Sequence, residues 1–195
     1  MAYHDLRDYL AQLESSGQLR RVDELVATEL ETTSLCVRAL RAEGPALLFE
    51  RPSSSAHPLL GNLFGHRKRI EAALAGRPLS SLRELGELLA AIKEPRWPGS
   101  VREALAAWPE FAQLAHAAPR RVPDAAFRDE VLTGEDVDLM RLPIQRCWPD
   151  DAGLLLTMAM VVTRGTRRER QNVGIYRQQV LGRNRVIMRW LPHRG

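Results

Sequence analysis

Around residues 117–123, Ala-Ala-Pro-Arg-Arg-Val-Pro, the hydrophobic rhythm of this 195-residue chain changes. Before that stretch, helical stripes alternate with short apolar runs. After it, runs of β-branched residues follow one another with no helical stripe between them. A chain so divided is neither one helical bundle nor one sandwich. It belongs to the α/β fold class, with a mixed α/β domain over residues 1–116 and a β-rich domain over residues 117–195.

In the first part, His4 to Ser16 puts Leu6, Tyr9, Leu10 and Leu13 on one stripe, and Gly17 is a natural stop. Leu19 to Val22 predicts a short strand, and Glu29 to Glu43 a second helix ended by Gly44-Pro45. Ala46-Leu47-Leu48-Phe49 is a continuous apolar run, which a strand tolerates only when both its faces are covered. A second apolar run spans Leu59 to Phe64. Arg67 to Ala75 and Leu82 to Lys93 read as helices, the latter with Ser80 and Ser81 as N-caps. Ser100 and Glu103 form a capping box opening a helix from Val101 to Trp108. In the second part, Phe127 to Leu132, Leu154 to Thr163, Asn172 to Val180 and Arg185 to Leu191 predict antiparallel strands. Gly182-Arg183-Asn184 makes a tight hairpin between the last two. The last strand stops four residues before Gly195, so the β-domain is expected to be incomplete, with an open edge that other chain must cover.

The formal charge of +4 hides an asymmetry. From Val161 to Gly195 there are nine arginines against one acid, Glu169, a local balance of +8 that leaves −4 for the preceding 160 residues. Lysine occurs only at positions 68 and 93. Arginine presents a planar fork matched to phosphate and carboxylate, where lysine offers a point charge. Other classes drop out. No apolar run reaches the roughly 18–20 residues that span a bilayer, and the N-terminus lacks a signal-peptide pattern. Two cysteines exclude a disulfide framework and suit a reducing, cytoplasmic setting.

On the last strand Arg185, Ile187, Arg189, Leu191 and His193 share one face, with Arg189 and His193 about 13 Å apart at strand rise. On the strand before it, Asn172, Gly174, Tyr176 and Gln178 share a face, and Ile175 and Arg177 take the other. Asn172 and Arg177 therefore meet one ligand only if the strand is irregular, and Gly174 is the expected bulge. Paired arginines suit a phosphate, while an asparagine oxygen and a neutral imidazole suit Mn²⁺ or Mg²⁺. The plainer readings are that strand arginines are solvated, that His193 after Pro192 lies on the surface, and that Met188 and Trp190 are core. Cys36 reads as packing, and Cys147 lacks the partner a nucleophile needs. His4, His57, His66 and His116 sit singly. Gly61-x-x-x-Gly65 is too weak for a phosphate loop, and no nucleic-acid motif appears.

Gln171-Asn172-Val173-Gly174-Ile175-Tyr176-Arg177-Gln178-Gln179 and Met188-Arg189-Trp190-Leu191-Pro192-His193-Arg194-Gly195 together resemble the UbiD family of decarboxylases. Tyr3-His4-Asp5-Leu6-Arg7-Asp8, Gly44-Pro45-Ala46-Leu47-Leu48-Phe49-Glu50, Asn62-Leu63-Phe64-Gly65 and Cys147-Trp148-Pro149-Asp150-Asp151 agree with it. The resemblance implies an incomplete, FMN-binding-like split β-barrel after the α/β domain. It implies prenylated FMN with Mn²⁺ or Mg²⁺, K⁺ as a further ion, and decarboxylation of 4-hydroxy-3-polyprenylbenzoate in ubiquinone biosynthesis. Asn172 and His193 would be metal ligands. Ile175, Tyr176, Arg177, Arg189, Trp190, Leu191, Arg194 and Gly195 would line the flavin, and Arg177 would be the catalytic arginine. Implied partners are a prenylated aromatic acid, a flavin prenyltransferase and further copies of the chain, with no nucleic acid. The implied location is cytoplasmic, at most peripheral to the inner membrane. Family members run to more than twice this length, so the chain is expected to be an N-terminal portion, inactive alone. The competing expectation is a stand-alone, non-catalytic, arginine-rich module that binds polyanions.

Overall fold

The computed structural model describes residues 3–93, 123, 125–164 and 171–190. The helix expected at 101–108 and the boundary at 116–117 lie outside them. Helix α1 (Leu6–Ser15) starts where the Asp5 carboxylate accepts the N–H groups of Arg7 and Asp8, at 2.8 and 3.1 Å. Strand β1 (Leu19–Val26), helix α2 (Glu31–Arg41), strands β2 (Ala46–Pro52) and β3 (Leu59–Gly61) and helices α3 (Arg67–Ala73) and α4 (Ser81–Lys93) follow.

The sheet order is β1-β2-β3, with β1 parallel to β2 and β3 antiparallel to it. Alternation then explains the core. Leu19, Ala46 and Leu48 face Tyr9 and Leu13 of α1. Val26, Leu47 and Phe49 face Leu35, Cys36 and Ala39 of α2. Central strand β2 is buried on both faces, as its continuous apolar run requires.

Arg69 of α3 is fully buried and has no acidic partner among the described residues. Its guanidinium donates to the carbonyls of Leu63, Gly44 and Asn62 at 2.9, 3.0 and 3.1 Å, and its own carbonyl accepts the Tyr9 hydroxyl at 2.6 Å. The cation thus ties together the end of α2, the turn after β3, and α1. Arg21, on the α1 face, ion-pairs with Glu14 and Glu50.

Across the sheet, burial pushes the Cys36 thiol up to about 11, with the Cys147 sulfur adding to the rise. A thiol raised above its unfolded value of about 8.5 stabilises the fold fully below that value. That contribution is lost as pH rises through 11. Urea midpoints should therefore fall more steeply between pH 9 and 11 for the parent chain than for Cys36→Ala; equal slopes would exclude the linkage.

The β-rich part corrects two expectations. Residues 127–132 form no strand: a 3₁₀ turn at Ala126–Arg128 leads into irregular chain, with Phe127 80% exposed. The runs at 154–163 and 172–180 are each divided, into β4 (Leu155–Leu156) and β5 (Met160–Arg164), and into β6 (Gln171–Ile175) and β7 (Gln178–Gly182). Strand β8 (Arg185–Met188) follows the β7 hairpin through Arg183-Asn184, and the sheet orders are β4-β7-β8 and β5-β6. Leu156 faces Gln178 and Met160 faces Ile175, so residues 157–159 oppose residues 176–177, three against two. This is a β-bulge, which bends the ladder and divides it into two sheets. Gly174 is regularly paired with Val161 and Ile175 with Met160, so the irregularity begins at Tyr176, two residues beyond the glycine, and its extra residue is on the opposite strand. No closed barrel forms among the described residues.

The segment leading into β4 docks on α2. Arg146 bridges to Glu29, and its carbonyl accepts the Leu30 N–H at 2.9 Å; the Gln145 amide donates to the buried Thr32 hydroxyl at 3.0 Å. Leu30 itself has φ +62° and ψ −40°, and the Glu31 N–H reaches back to the Glu29 carbonyl at 2.6 Å. That is the rare, strained form of γ-turn, costing on the order of 1–3 kcal/mol and held by the docked segment.

Candidate functional site

The bulge places the sequence-predicted residues. β6 alternates, so Asn172 and Gly174 share a face while Val173 and Ile175 share the other. A Cβ on Gly174 would stand 2.6 Å from the Tyr176 ring, so that ring lies over Gly174, on the Asn172 side. The same ring meets Trp190 at 5.1 Å between centroids, tilted by 46°. Asn172, Tyr176 and Trp190 therefore border one side of the kink. Ile175 does not join them: it pairs directly with Met160 on the opposite face, 63% exposed against 72% for Met160.

Arg177 occupies the junction itself and is exposed, and Arg189 is exposed just past β8. The even alternation expected from Arg185 through His193 ends at Met188, where the strand stops. Among the described residues neither Arg177 nor Arg189 forms an ion pair. Arg183, from the same arginine-rich region, is engaged: it donates to the Glu135 carbonyl at 2.8 Å and lies 3.5 Å from Asp138. Trp190 is half exposed rather than core, and Met188 is partly buried beside the Gln178 amide. Leu191, His193, Arg194 and Gly195 lie outside the described residues.

The turn at Cys147-Trp148 is locked by Asp151, whose carboxylate accepts both their N–H groups, at 3.1 and 2.9 Å. The sequence reading saw this motif but not its role. It also missed Thr157-Met158-Ala159, the extra-residue side of the bulge, where the Ala159 carbonyl accepts the Tyr176 N–H at 3.1 Å.

This arrangement pairs an aromatic platform with two uncompensated guanidinium groups, a combination that suits a planar ligand bearing a phosphate. It does not make a metal centre by itself. Among the described residues no group of three His, Cys, Asp or Glu side chains converges, and Asn172 is the one described oxygen donor of the expected pair. Gly174→Ala should push the Tyr176 ring off Trp190. The near-ultraviolet circular dichroism should change while the far-ultraviolet spectrum holds, with a stability cost of about 1 kcal/mol; an unchanged aromatic band would contradict the stack.

Two domain families match this sequence. The 3-octaprenyl-4-hydroxybenzoate carboxy-lyase N-terminal domain covers residues 10–89, and the Rift-related domain of the same carboxy-lyase covers residues 120–195. Among solved structures, an evolved dimeric form of the UbiD-class enzyme HmfF from Pelotomaculum thermopropionicum, in complex with prFMN, is 32% identical. It superposes with a TM-score of 0.73 over 97% of this chain and 39% of its own. Vanillic acid decarboxylase from Sedimentibacter hydroxybenzoicus, in open form, is 25% identical with a TM-score of 0.70, over 95% of this chain and 36% of its own. Apo 3,4-dihydroxybenzoic acid decarboxylase from Klebsiella pneumoniae, 23% identical with a TM-score of 0.63 over 98% of this chain and 38% of its own, shares the fold. The chain thus spans under two-fifths of the length of these structures.

Proposed function

The chain belongs to the UbiD family, and from that premise we propose that it builds the flavin-holding part of a prenylated-FMN-dependent decarboxylase of an aromatic acid. The observation that carries this reading is the Tyr176–Trp190 pair at the bulge, flanked by Arg177 and Arg189, which have no ion-pair partner among the described residues. The division of the chain at residues 116 and 117 is kept in this reading, supported by the change from mixed α/β to antiparallel β.

In this proposal Arg177 and Arg189 hold the phosphate through charge-assisted hydrogen bonds. Tyr176 and Trp190 hold the ring system, and Leu191, Arg194 and Gly195 are the further flavin contacts that the family resemblance implies. Ile175 turns its side chain away, so only its main chain borders the ligand. Prenylated FMN, when bound, supplies the electron sink for loss of CO₂, and the protein supplies orientation and electrostatics. Arg177 also carries the catalytic assignment, pairing with the acids that relay the proton. Asn172 and His193 are the assigned ligands for Mn²⁺ or Mg²⁺, with K⁺ as a further ion. One described neutral donor does not define that centre.

The substrate proposed is 4-hydroxy-3-polyprenylbenzoate, placing the whole protein in ubiquinone biosynthesis. A flavin prenyltransferase supplies the cofactor to a homo-oligomeric, cytoplasmic enzyme. Among the described residues no helix is long and apolar enough to cross a membrane.

Titration of the chain with FMN, read by flavin fluorescence, tests the site. Arg177→Gln and Arg189→Gln should each weaken binding about tenfold or more, as loss of a charged hydrogen bond implies, and Trp190→Ala should weaken it as well. Binding that ignores all three substitutions would overturn the assignment.

A further inference from the structure

Among the described residues strand β1 has a strand partner on one edge only. In the order β1-β2-β3 its outer edge presents backbone N–H and C=O groups, and nothing among the described residues pairs with them. Proteins usually blunt such an edge, because it is a template for another strand. β1 is eight residues long, with its regular stretch at Leu19 to Val22 before a shift in register between Val22 and Leu25, and its burial pattern leaves Arg20, Arg21, Asp23, Glu24 and Leu25 exposed.

Beside that edge lies a groove of about 430 Å³, between β1 and helix α2. Its apolar lining is Val22, Leu35, Ala39, Ala42 and Leu47, with Arg20 and Arg38 on the same face and Arg21 at the strand margin. The register explains why the groove exists. Arg20 pairs with Leu47 and Val22 with Phe49, so Arg20 and Val22 stand on the α2 face, whereas Arg21 turns to the α1 face and is neutralised by Glu14 and Glu50. Helix α2 packs on Phe49 and Leu59, toward β2 and β3, and leaves the β1 margin of that face open. Among the described residues Arg20 and Arg38 have no ion-pair partner. The groove's one acid is Glu24, against three lining arginines, of which Arg21 is already paired with Glu14 and Glu50 and Arg20 and Arg38 are not paired among the described residues.

An open strand edge and a groove between that edge and a helix are the two halves of one recognition mode. An added strand gains main-chain hydrogen bonds from the edge, and drops every second side chain into the groove. The charge balance then selects the occupant. We propose that this groove binds an extended peptide segment in which acidic and apolar residues share the face turned toward α2, added as a strand along β1. Its apolar side chain rests on Val22, Leu35 and Leu47, and its carboxylate meets Arg20 and Arg38. The site is on the α/β layer, independent of the flavin reading.

The test is fluorescence polarisation with a labelled peptide of three Glu-Val-Val repeats, alongside amide chemical shifts of the ¹⁵N-labelled chain. Saturable binding should shift amides of β1 and α2, and survive 150 mM salt. A peptide of the same charge with Gly for Val should bind at least tenfold more weakly, as should one with Pro at the central Val, which removes a backbone donor. Arg38→Glu, on the exposed face of α2, should lose about tenfold for the acidic peptide and gain for a Lys-Val-Val peptide; circular dichroism checks that the variant folds. Four results would overturn the proposal. They are no saturation at millimolar peptide, equal binding of the Gly peptide, shifts confined to the arginine-rich strands at 161–190, and displacement by benzoate, which would make the groove a small-carboxylate site.

Discussion

Arg69→Leu should cost the α/β layer about 3–5 kcal/mol, because three buried carbonyls would each lose a donor at about 1–3 kcal/mol apiece. Leucine fills much of the volume but donates nothing. The carbonyls of Leu63, Asn62 and Gly44 would then be left without a donor in an interior where the native side chain has no exposure at all. Desolvation already draws the Arg69 pKa down, and the fork of carbonyls is what keeps the cation tolerable there. Against a total stability of about 5–15 kcal/mol for a domain, such a loss unfolds a large fraction of molecules at 37 °C. Urea unfolding followed by far-ultraviolet circular dichroism measures it. Arg69→Lys should recover only part, since one ammonium cannot reach three carbonyls set around a planar fork. A loss below about 1 kcal/mol for Arg69→Leu would mean that water replaces the guanidinium, contrary to the network described.

Gly61→Ala should destabilise the opposite face of the same sheet by about 1–3 kcal/mol, the range for overpacking. The added Cβ would stand 2.3 Å from the Cys36 sulfur and 3.6 Å from the Phe49 ring. Phe49 is fully buried and the Cys36 sulfur only partly exposed, so relief requires the thiol to leave its rotamer or the helix to shift. The prediction is sharpest as a double-mutant cycle. Cys36→Ala alone removes a sulfur and costs stability; combined with Gly61→Ala it removes the clash, so the pair should be more stable than the sum of the single losses by about 1 kcal/mol or more. Additive losses would show that α2 does not press on β3 through Cys36.

These two positions also show what a sequence can and cannot announce. Ala46-Leu47-Leu48-Phe49 declared its double burial outright, because four consecutive apolar residues leave no side for water. The start of α1 was readable for a similar reason, since Asp5 carries its own cap. Arg69 gave no such signal. A cation in a helix reads as solvent-facing, and only the convergence of carbonyls from Gly44, Asn62 and Leu63 makes its burial sensible. Phe127, Val131 and Leu132 looked like a strand by residue type alone; Asp129 and Leu132 break the alternation, and no strand among the described residues pairs with the segment. The site was half legible. Tyr176, Arg177, Arg189 and Trp190 stood out by type, and Tyr176 and Trp190 do meet. The even alternation put Ile175 on the face opposite Asn172, where the structure has it; it could not show the break after Ile175, because a bulge on the partner strand leaves no mark in the strand it bends.

That bulge has an evolutionary consequence. Loops such as the β7–β8 turn can gain or lose residues without changing which way a neighbouring strand faces. At positions 157–159 a single codon matters more than its side chain. One deletion would leave two residues facing two, straighten the ladder, and merge two sheets into one flat ribbon. One insertion would turn the far strands over. The hollow that holds Tyr176 against Trp190 is therefore inherited as a count, and lineages of this chain should tolerate substitutions at Met158 far more readily than any change in length there.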